Sequence, residues 1–528
     1  MATPCVLVSD PLSEEGVSQL RSAGFTVDVI TGLSEDALSE KISHYDALII
    51  RSQTKVTARV IQAANGLKII ARAGVGVDNV DLEAATKKGI IVVNSPEGNT
   101  EAAAELTVTM MLALCRQIPA ANASLKAGKW ERSKFTGVEL LGKTLGVIGL
   151  GKIGSRVATV ALALGMKIVA YDPFVSEDAA KKQGFELASL DDVIAQADVI
   201  TLHIPKTRDT ANLINADRLR KMKKGVRIVN CARGGVIDEK ALFDAIQSGH
   251  VAGAALDVFD KEPPGENPLL TLPQVVATPH LGAATVEAQV NVATDVVEQV
   301  IDVLKGGSAR AAVNIPSMKP EILQAVKPYM GIAERLGRFI GQVVDGALTS
   351  IDVTYQGEIA EANVAPLTVA VLKGLFEPIL QETVNFVNAP VVARERGVKV
   401  TESKSGEVQD FANLITVSAT TEKGKHSVAG TLFGAFGERM VMMDGFKTDV
   451  VPRGYLLVMS HTDKPGMIGK MGMILGNKNI NIAGMDVGRQ SVGGKAVMIL
   501  NVDSPVPDDV LRDITKIDGI QWTKLVSL

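Results

Sequence analysis

Residues Gly146–Gly154 read GVIGLGKIG, and the fold of the chain turns on how this stretch is understood. Gly149, Gly151 and Gly154 fall in G-x-G-x-x-G spacing. An apolar run precedes them, and Ile153, Val157, Ala161 and Leu164 follow on one helical face. A strand, a tight turn and a helix in that order leave free N–H groups at the helix start. Those groups and the helix dipole favour an anion, and the glycines let a pyrophosphate approach the backbone. Lys152 and Ile153 lie inside the loop and join the three glycines as candidate cofactor contacts. Asp172, 18 residues after Gly154, ends the next apolar run, KIVAYDP. A carboxylate there takes a ribose hydroxyl and repels a 2′-phosphate, so the expectation is NAD rather than NADP. The alternative is a tight strand–helix turn that holds nothing.

Outward from this loop, apolar runs alternate with helix-like segments. Before it stand PCVLVSD, ALIIRS, KIIARAG and IIVVNSP, then EAAAELTVTMMLALCRQ, a helix over 101–117. After it stand ADVITLHIP, VRIVNCARGG, GAALDVF and VVATPHLG. The alternation predicts two doubly wound, Rossmann-like parallel sheets. A long helical pattern over 283–304 is expected to return to the first lobe, making that lobe discontinuous. KGGSARAAVNIPSMKPE, 305–321, breaks the pattern with Gly and Pro and reads as a linker. Next come a helix in YMGIAERLGRFIGQVV and strands such as LITVSATT, an α+β intervening region. Beyond Gly454 the order is β-α-β-β-α-β, the ferredoxin-like arrangement. The expected units are 1–97 with 283–312, then 98–282, 313–452 and 453–528.

Bulk properties narrow the function. A chain of 528 residues exceeds one core and implies several domains. Apolar residues make up 46% and charged residues 22%, as in ordinary globular proteins. A net charge of −4 with dispersed basic residues gives no reason to expect nucleic acid. Cys5, Cys115 and Cys231 have no paired spacing, so neither a disulfide framework nor a metal site is expected. No apolar run has the length of a membrane span. The N-terminus has no leader pattern, and the expected compartment is the cytoplasm, with a processed organellar form as the alternative.

Three residues at element ends carry the chemistry. Arg233 follows VRIVNCA, Glu262 lies in DVFDKEPP, and His280 lies in VVATPHLGAAT. Ligands of a doubly wound sheet bind at such ends. Oxidation of an alcohol needs an imidazole to take the hydroxyl proton, a carboxylate to orient that imidazole, and a guanidinium to grip a substrate carboxylate. Taken singly, Arg233 reads as a surface arginine and His280 as a structural histidine. VNCARGGVIDEKAL, GAALDVFDKEPP and TPHLGAAT, with spacings of 29 and 18 residues between Arg233, Glu262 and His280, resemble the D-isomer-specific 2-hydroxyacid dehydrogenases over about 1–312. The resemblance implies Arg233 as substrate anchor, Glu262 as partner of His280, and His280 as acid and base. It also implies that Asp257 and Gly282 hold the nicotinamide side, and that Cys231 and Ala232 line the cofactor cleft with Arg233 and His280.

Arg51 and Arg72 each end an apolar run in the first lobe. Two further cations suit a second anion on the substrate, and phosphate is the candidate. The amides of AGVG (Ala73 to Gly76, with Gly74 and Val75 between) form a small nest for a carboxylate, and Asn99 adds a polar contact. RSQTKVT, RAGVGVDNVDLEAAT, KWERSKF and KKGVRIVNCARGGVIDE resemble the branch of that family that oxidises 3-phosphoglycerate to 3-phosphohydroxypyruvate in serine synthesis. That resemblance implies a homodimer or homotetramer in which the cation of KWER, Arg132 (with Lys134 beside it), reaches the neighbour's site and Trp130 anchors the interface. Relatives with a hydroxyl residue at Val75 gain a contact this chain lacks.

HTDKPGMIGKMGMILGNKNINIAGMDVGR, from His461, resembles an ACT domain. Such domains pair side by side and hold an amino acid at the seam. By that resemblance His461, Asp463 and Asn481 are the polar ligands, Gly466 allows close approach, and L-serine is the expected effector. A tail that only dimerises is the alternative. The middle region resembles the intervening domain of the long members, with no motif that assigns its residues. Rival readings of the whole are a glyoxylate or hydroxypyruvate reductase and a non-catalytic, NADH-sensing binding protein. Asp172 and the tail argue against the first, and the tail with Arg51 and Arg72 against the second.

Overall fold

A computed structural model describes residues 3–315, 320–380, 384–406 and 411–528. Four residues of the expected linker, 316–319, lie outside the described residues. The first sheet contains β1 (Cys5–Val8), β2 (Thr26–Val29), β3 (Ala47–Ile50), β4 (Ile69–Arg72) and β5 (Ile91–Asn94), all parallel, in the order β2-β1-β3-β4-β5. The second contains β6 (Thr144–Ile148), β7 (Lys167–Tyr171), β8 (Glu186–Leu187), β9 (Val199–Leu202), β10 (Val226–Asn230), β11 (Val251–Leu256) and β12 (Val275–Ala277). Its order is β12-β11-β10-β9-β6-β7-β8, again parallel throughout. Both orders reverse once, between β1 and β3 and between β6 and β9, and a crevice opens at each reversal beyond the strands' carboxyl ends.

The near-continuous Val, Ile and Ala runs of these strands follow from helices covering both faces of a parallel sheet. The helix Val286–Leu304, capped by Thr285 through the N–H of Ala288, buries Val292, Val296, Val297 and Val300 against Val6, Val8 and Ile49 of the first sheet. The segment read as a linker begins instead as an edge of that sheet. Ala312 bridges Val93, the Val313 N–H donates to the Val92 carbonyl at 2.8 Å, and the Asn314 amide takes the Val92 N–H at 2.9 Å. An edge strand with free N–H and C=O groups recruits any chain that passes with matching polar groups. Gly and Pro content alone did not reveal this.

The third sheet is mixed: β13 (Leu348–Gly357), β14 (Lys399–Ser405), β15 (Asn413–Thr421), β16 (Gly424–Phe433), β17 (Gly437–Met443) and β18 (Phe446–Val450), ordered β14-β13-β15-β16-β17-β18. Two helices, Pro320–Val343 and Ala365–Phe376, cover one face. The last sheet contains β19 (Tyr455–Thr462), β20 (Ile482–Arg489), β21 (Lys495–Val502) and β22 (Ile520–Ser527), ordered β20-β21-β19-β22 with helices Met467–Gly476 and Asp508–Thr515. This is the β-α-β-β-α-β order expected from the tail.

Candidate active site

The crevice of the second sheet lies where β6 and β9 end. Gly149 turns the chain with φ of 97°, and a Cβ there would sit 2.5 Å from the His203 carbonyl oxygen. A Cβ on Gly154 would sit 2.0 Å from the Gly149 carbonyl oxygen, so this helix can approach the turn only with glycine in its first residues. Gly151, the N-cap of the helix Lys152–Ala163, faces open space. Ile153 packs against the core under the sheet. Asp172, just beyond β7, accepts the Leu150 N–H at 2.8 Å and the Phe174 N–H at 2.8 Å. It thereby braces the turn with the carboxylate assigned to a ribose. An open helix start, glycine-lined space and a carboxylate one strand over fit a dinucleotide. Lys152 pairs with Glu97, and Arg156 with Glu101 at 2.9 Å, which holds the segment between the lobes against this helix.

Arg233, Glu262 and His280 follow β10, β11 and β12, neighbouring strands of one sheet edge. His280 Nδ1 lies 2.7 Å from Glu262 Oε2, and Glu262 Oε1 accepts the Phe259 N–H at 3.1 Å. Partial burial pushes the Glu262 carboxyl up, but the hydrogen bond and charge of His280, the Phe259 N–H and Arg233 outweigh it and hold the group below the usual range. Glu262 is therefore ionised, and it fixes the ring with Nε2 left for a reactant. His280 adopts φ of 56°. Asp257, fully buried, holds it there: its carbonyl accepts the His280 N–H at 2.9 Å. The Asp257 carboxylate takes the N–H groups of Leu281 and Gly282 at 2.7 and 2.9 Å and the Thr278 hydroxyl at 2.6 Å. The first visible task of Asp257 is thus to build the His280 loop. Asn230 stitches the turn of Cys231 and Ala232, taking the Ala232 N–H at 3.0 Å and donating to the Arg233 carbonyl at 2.9 Å. Burial pushes the Cys231 thiol up to about 12, so it is a neutral lining group rather than a nucleophile.

Arg51 and Arg72 leave β3 and β4 of the first sheet. Arg72 Nε is buried without a protein partner. Burial first, then the charges of Arg233 and Arg51, push the Arg72 guanidinium down to about 10 against the opposing pull of Asp78 and Asp10. It is still a cation at neutral pH, which means three guanidinium groups converge. Arg233 crosses from the other lobe, donating from Nε to Asp78 Oδ2 at 3.1 Å and from Nη1 to the Ala232 carbonyl at 2.7 Å. A Cβ on Gly76 would stand 2.1 Å from Arg233 Nη2, and one on Gly74 2.2 Å from Arg72 Nη1, so both guanidinium groups lie on bare backbone. Val75 offers its carbonyl to the Asn94 amide. Asn99 occupies the N-cap position of the helix Thr100–Cys115 without a capping bond, and its Oδ1 is buried without a partner, as are the hydroxyls of Ser95 and Thr100 beside it. Arg132 does not join this group: it stands exposed on the turn Arg132–Phe135, with Trp130 78% exposed beside it and Lys134 paired to Glu131 at 2.6 Å.

Asp10, Asp78, Asn79 and Glu97 were not anticipated from the sequence. Asp and Asn in a turn before a helix read as capping residues, and no spacing rule points to an arginine 155 positions away.

The tail holds a separate cavity of about 430 Å³ lined by His461, Asp463, Gly466, Met467, Arg489 and Met498. His461 is buried, with Nδ1 2.9 Å from the Thr462 carbonyl oxygen and Nε2 unpartnered. Asp463 is held by Arg489 at 2.7 Å, a residue the sequence reading missed. Asn481 is not brought to the other three. β19 and β20 flank β21 and run antiparallel to it, so both point the same way. His461 is near the end of β19 and Asn481 precedes β20, at opposite ends of the sheet, where Asn481 donates to Asp503 at 2.7 Å.

Residues 108–282 match the family described as D-isomer specific 2-hydroxyacid dehydrogenase, NAD binding domain. Residues 325–444 match the D-3-phosphoglycerate dehydrogenase intervening domain, and 455–519 the ACT domain. The chain is 52% identical over 524 residues to D-3-phosphoglycerate dehydrogenase of Synechocystis sp., covering 99% of this chain and 94% of the relative. It is 48% identical to that of Archaeoglobus fulgidus, covering 98% of each. Among solved structures, D-lactate dehydrogenase from Aquifex aeolicus, complexed with NAD and lactic acid, superposes with a TM-score of 0.54 at 32% identity, covering 59% of this chain and 100% of that one.

Proposed function

This chain belongs to the D-3-phosphoglycerate dehydrogenase family, and from that premise we propose how its own residues carry the reaction. The protein is an NAD-dependent oxidoreductase that converts 3-phospho-D-glycerate to 3-phosphohydroxypyruvate, the first step of phosphorylated serine synthesis. Near-complete alignment with such enzymes sets aside the readings as a glyoxylate reductase and as a non-catalytic sensor.

When bound, NAD supplies the acceptor for the hydride at C2. Arg233 grips the substrate carboxylate, supported by the N–H groups of Gly74, Val75 and Gly76, while Arg51 and Arg72 take the phosphate. His280 Nε2 takes the C2 hydroxyl proton as the C2–H electron pair departs and the carbonyl forms. Glu262, ionised against Nδ1, stabilises the imidazolium so produced. Closure of the lobes brings the Arg51 side to the His280 side and excludes water. The observation that carries this assignment is the His280–Glu262 pair at 2.7 Å with Arg233 bridging to the first lobe. The test is NADH formation from NAD and 3-phosphoglycerate with D-glycerate as control. Equal turnover of the two would remove the phosphate roles of Arg51 and Arg72.

The same reading divides the chain into 1–97 with 283–312, 98–282, 313–452 and 453–528. It makes the ACT domain an effector site for an amino acid, L-serine, completed at the seam of two chains. The separation of Asn481 from His461 within one chain supports such sharing. Exposed Trp130 and Arg132 fit a homodimer or homotetramer in which they reach the neighbour. Among the described residues no helix is long and apolar enough to cross a membrane, and we place the protein in the cytoplasm. Asn481→Ala is expected to weaken inhibition by L-serine about tenfold, the effect of a lost hydrogen bond to a charged group. An unchanged inhibition curve would reject the seam assignment.

A further inference from the structure

The loop Arg51–Thr54 is clamped from two sides. From below, Asp10, 2% exposed, accepts the N–H groups of Arg51 and Thr54 at 2.6 and 3.1 Å and the Thr54 hydroxyl at 2.7 Å. From the side, the Asn79 amide donates to the carbonyls of Arg51 and Thr54 at 2.7 and 2.6 Å. The Asn79 carbonyl also accepts the Val56 N–H at 2.8 Å, so its backbone is tied to the same segment. The next residue back, Asp78, faces the other lobe and accepts from Arg233 Nε at 3.1 Å. Two consecutive residues thus hold the two ends of the substrate cleft.

The energetics point to orientation rather than stability. The Asp78 side chain is 70% exposed, and an ion pair so open to water contributes little to folding. What Asp78 does is spatial. It takes Arg233 Nε, and Gly76 gives Nη2 a place against the backbone. Its charge also offsets the repulsion that Arg72 feels from Arg233. The Asn79 bonds act on backbone carbonyls, and a guanidinium whose backbone shifts by an ångström loses its two-pronged geometry toward an anion.

We propose that Asp78 and Asn79 are a positioning pair: Asp78 orients Arg233 toward the carboxylate that both substrates share, and Asn79 sets the place of Arg51, which selects a phosphorylated 2-hydroxy acid over its unphosphorylated counterpart. The inference rests on the reading of Arg51 as a phosphate contact and Arg233 as the carboxylate anchor. Neither Asp78 nor Asn79 touches the reacting atoms, and each acts through its arginine.

The test is steady-state reduction of 3-phosphohydroxypyruvate and of hydroxypyruvate by NADH, with NADH affinity and Tm measured on each variant. Asn79→Ala is expected to lower the kcat/KM ratio between the two substrates about tenfold, chiefly through KM for the phosphorylated one. In an Arg51→Ala background the same change is expected to leave the ratio where Arg51→Ala has put it. Asp78→Asn is expected to lower kcat/KM on both substrates by a common factor of about ten, with part restored in Asp78→Glu. If Asn79→Ala loses NADH affinity, Asn79→Ser, with a shorter donor, carries the same test. An Asn79 effect equal on both substrates, or one that persists without Arg51, overturns the inference, as does an Asp78→Asn enzyme with unchanged kinetics. A wild-type enzyme with no preference for the phosphorylated substrate overturns the reading of Arg51 itself. A ratio lost in Arg51→Ala but kept in Asn79→Ala sinks the positioning pair alone.

Discussion

At the scale of single residues, this site works by pairing each reactive group with a partner that removes its freedom. His280 sits at φ of 56°, a region rarely populated without glycine, because Asp257 holds the N–H groups of the loop. Its Nδ1 is engaged by Glu262, whose carboxyl burial pushes up and the hydrogen bond and charge of His280, with the Phe259 N–H and Arg233, pull below the usual range. His280→Gln is expected to lower kcat by roughly a hundredfold to ten-thousandfold with NADH affinity retained, since only proton transfer is lost. In Glu262→Gln the ring loses the carboxylate that orients it and stabilises the imidazolium formed in the reaction, and kcat is expected to fall by roughly a hundredfold with NADH affinity retained, read by steady-state kinetics and fluorescence titration. Cys231 invites a nucleophilic reading two residues before Arg233, but a thiol pushed up to about 12 carries almost no thiolate at pH 7. Alkylation by iodoacetamide at pH 7 is expected to be far slower at Cys231 than at a free cysteine, followed by mass spectrometry.

At the scale of elements, close approach governs. The helices Pro320–Val343 and Ala365–Phe376 touch backbone to backbone at glycines where they cross. A Cβ on Gly374 would lie 1.9 Å from the Glu334 carbonyl oxygen, and one on Gly337 2.0 Å from that of Val371. Gly374→Ala is expected to destabilise this region by about 1–3 kcal/mol, the range for overpacking, and to lower its Tm while NADH affinity persists. The second of these helices was not anticipated. APLTVAVLKGLF is apolar on all sides, so it carries no 3.6-residue period and reads equally as a strand. By contrast, the helix Lys152–Ala163 and the tail helix Met467–Gly476 were both legible, since a turn signal and an apolar stripe mark each start.

At the scale of the molecule, the chain has two kinds of joint. The ACT strands and the intervening region share one core: Leu456, Val458, Val497, Ile499 and Val526 pack with Leu336, Ile340 and Val417. Gln342 adds two bonds of 3.0 Å to the Ser527 backbone, and Lys524 pairs with Asp345 at 2.6 Å. The joint between the first lobe and the intervening region is polar instead. Asn385 donates to the Gly89 carbonyl at 2.9 Å and Lys87 pairs with Glu395 at 3.0 Å, around a cavity of about 680 Å³. Cutting after residue 452 exposes the shared apolar face, at about 25 cal/mol per Å² of lost burial, and is expected to give aggregation. Among the described residues, cutting after residue 315 severs no shared core, and it is expected to leave a soluble fragment that binds NADH. Gel filtration and fluorescence titration of the two fragments check both outcomes.

Sequence alone determined the parallel sheets, the glycine loop and the order of the tail, and it singled out Arg233, Glu262 and His280 as the candidates for the chemistry. Each is written in local backbone demands: glycines where a carbonyl approaches, caps before apolar stripes, reactive residues at strand ends. Tertiary structure alone decided that Arg233 reaches Asp78 in the other lobe and that Asn79 holds the Arg51 loop. It also decided that Asn481 stands at the far end of the sheet from His461. Those facts depend on how two lobes face each other and on which strands flank a third. No short-range pattern of residues encodes them, because the fold, rather than closeness along the chain, brings these residues together or keeps them apart.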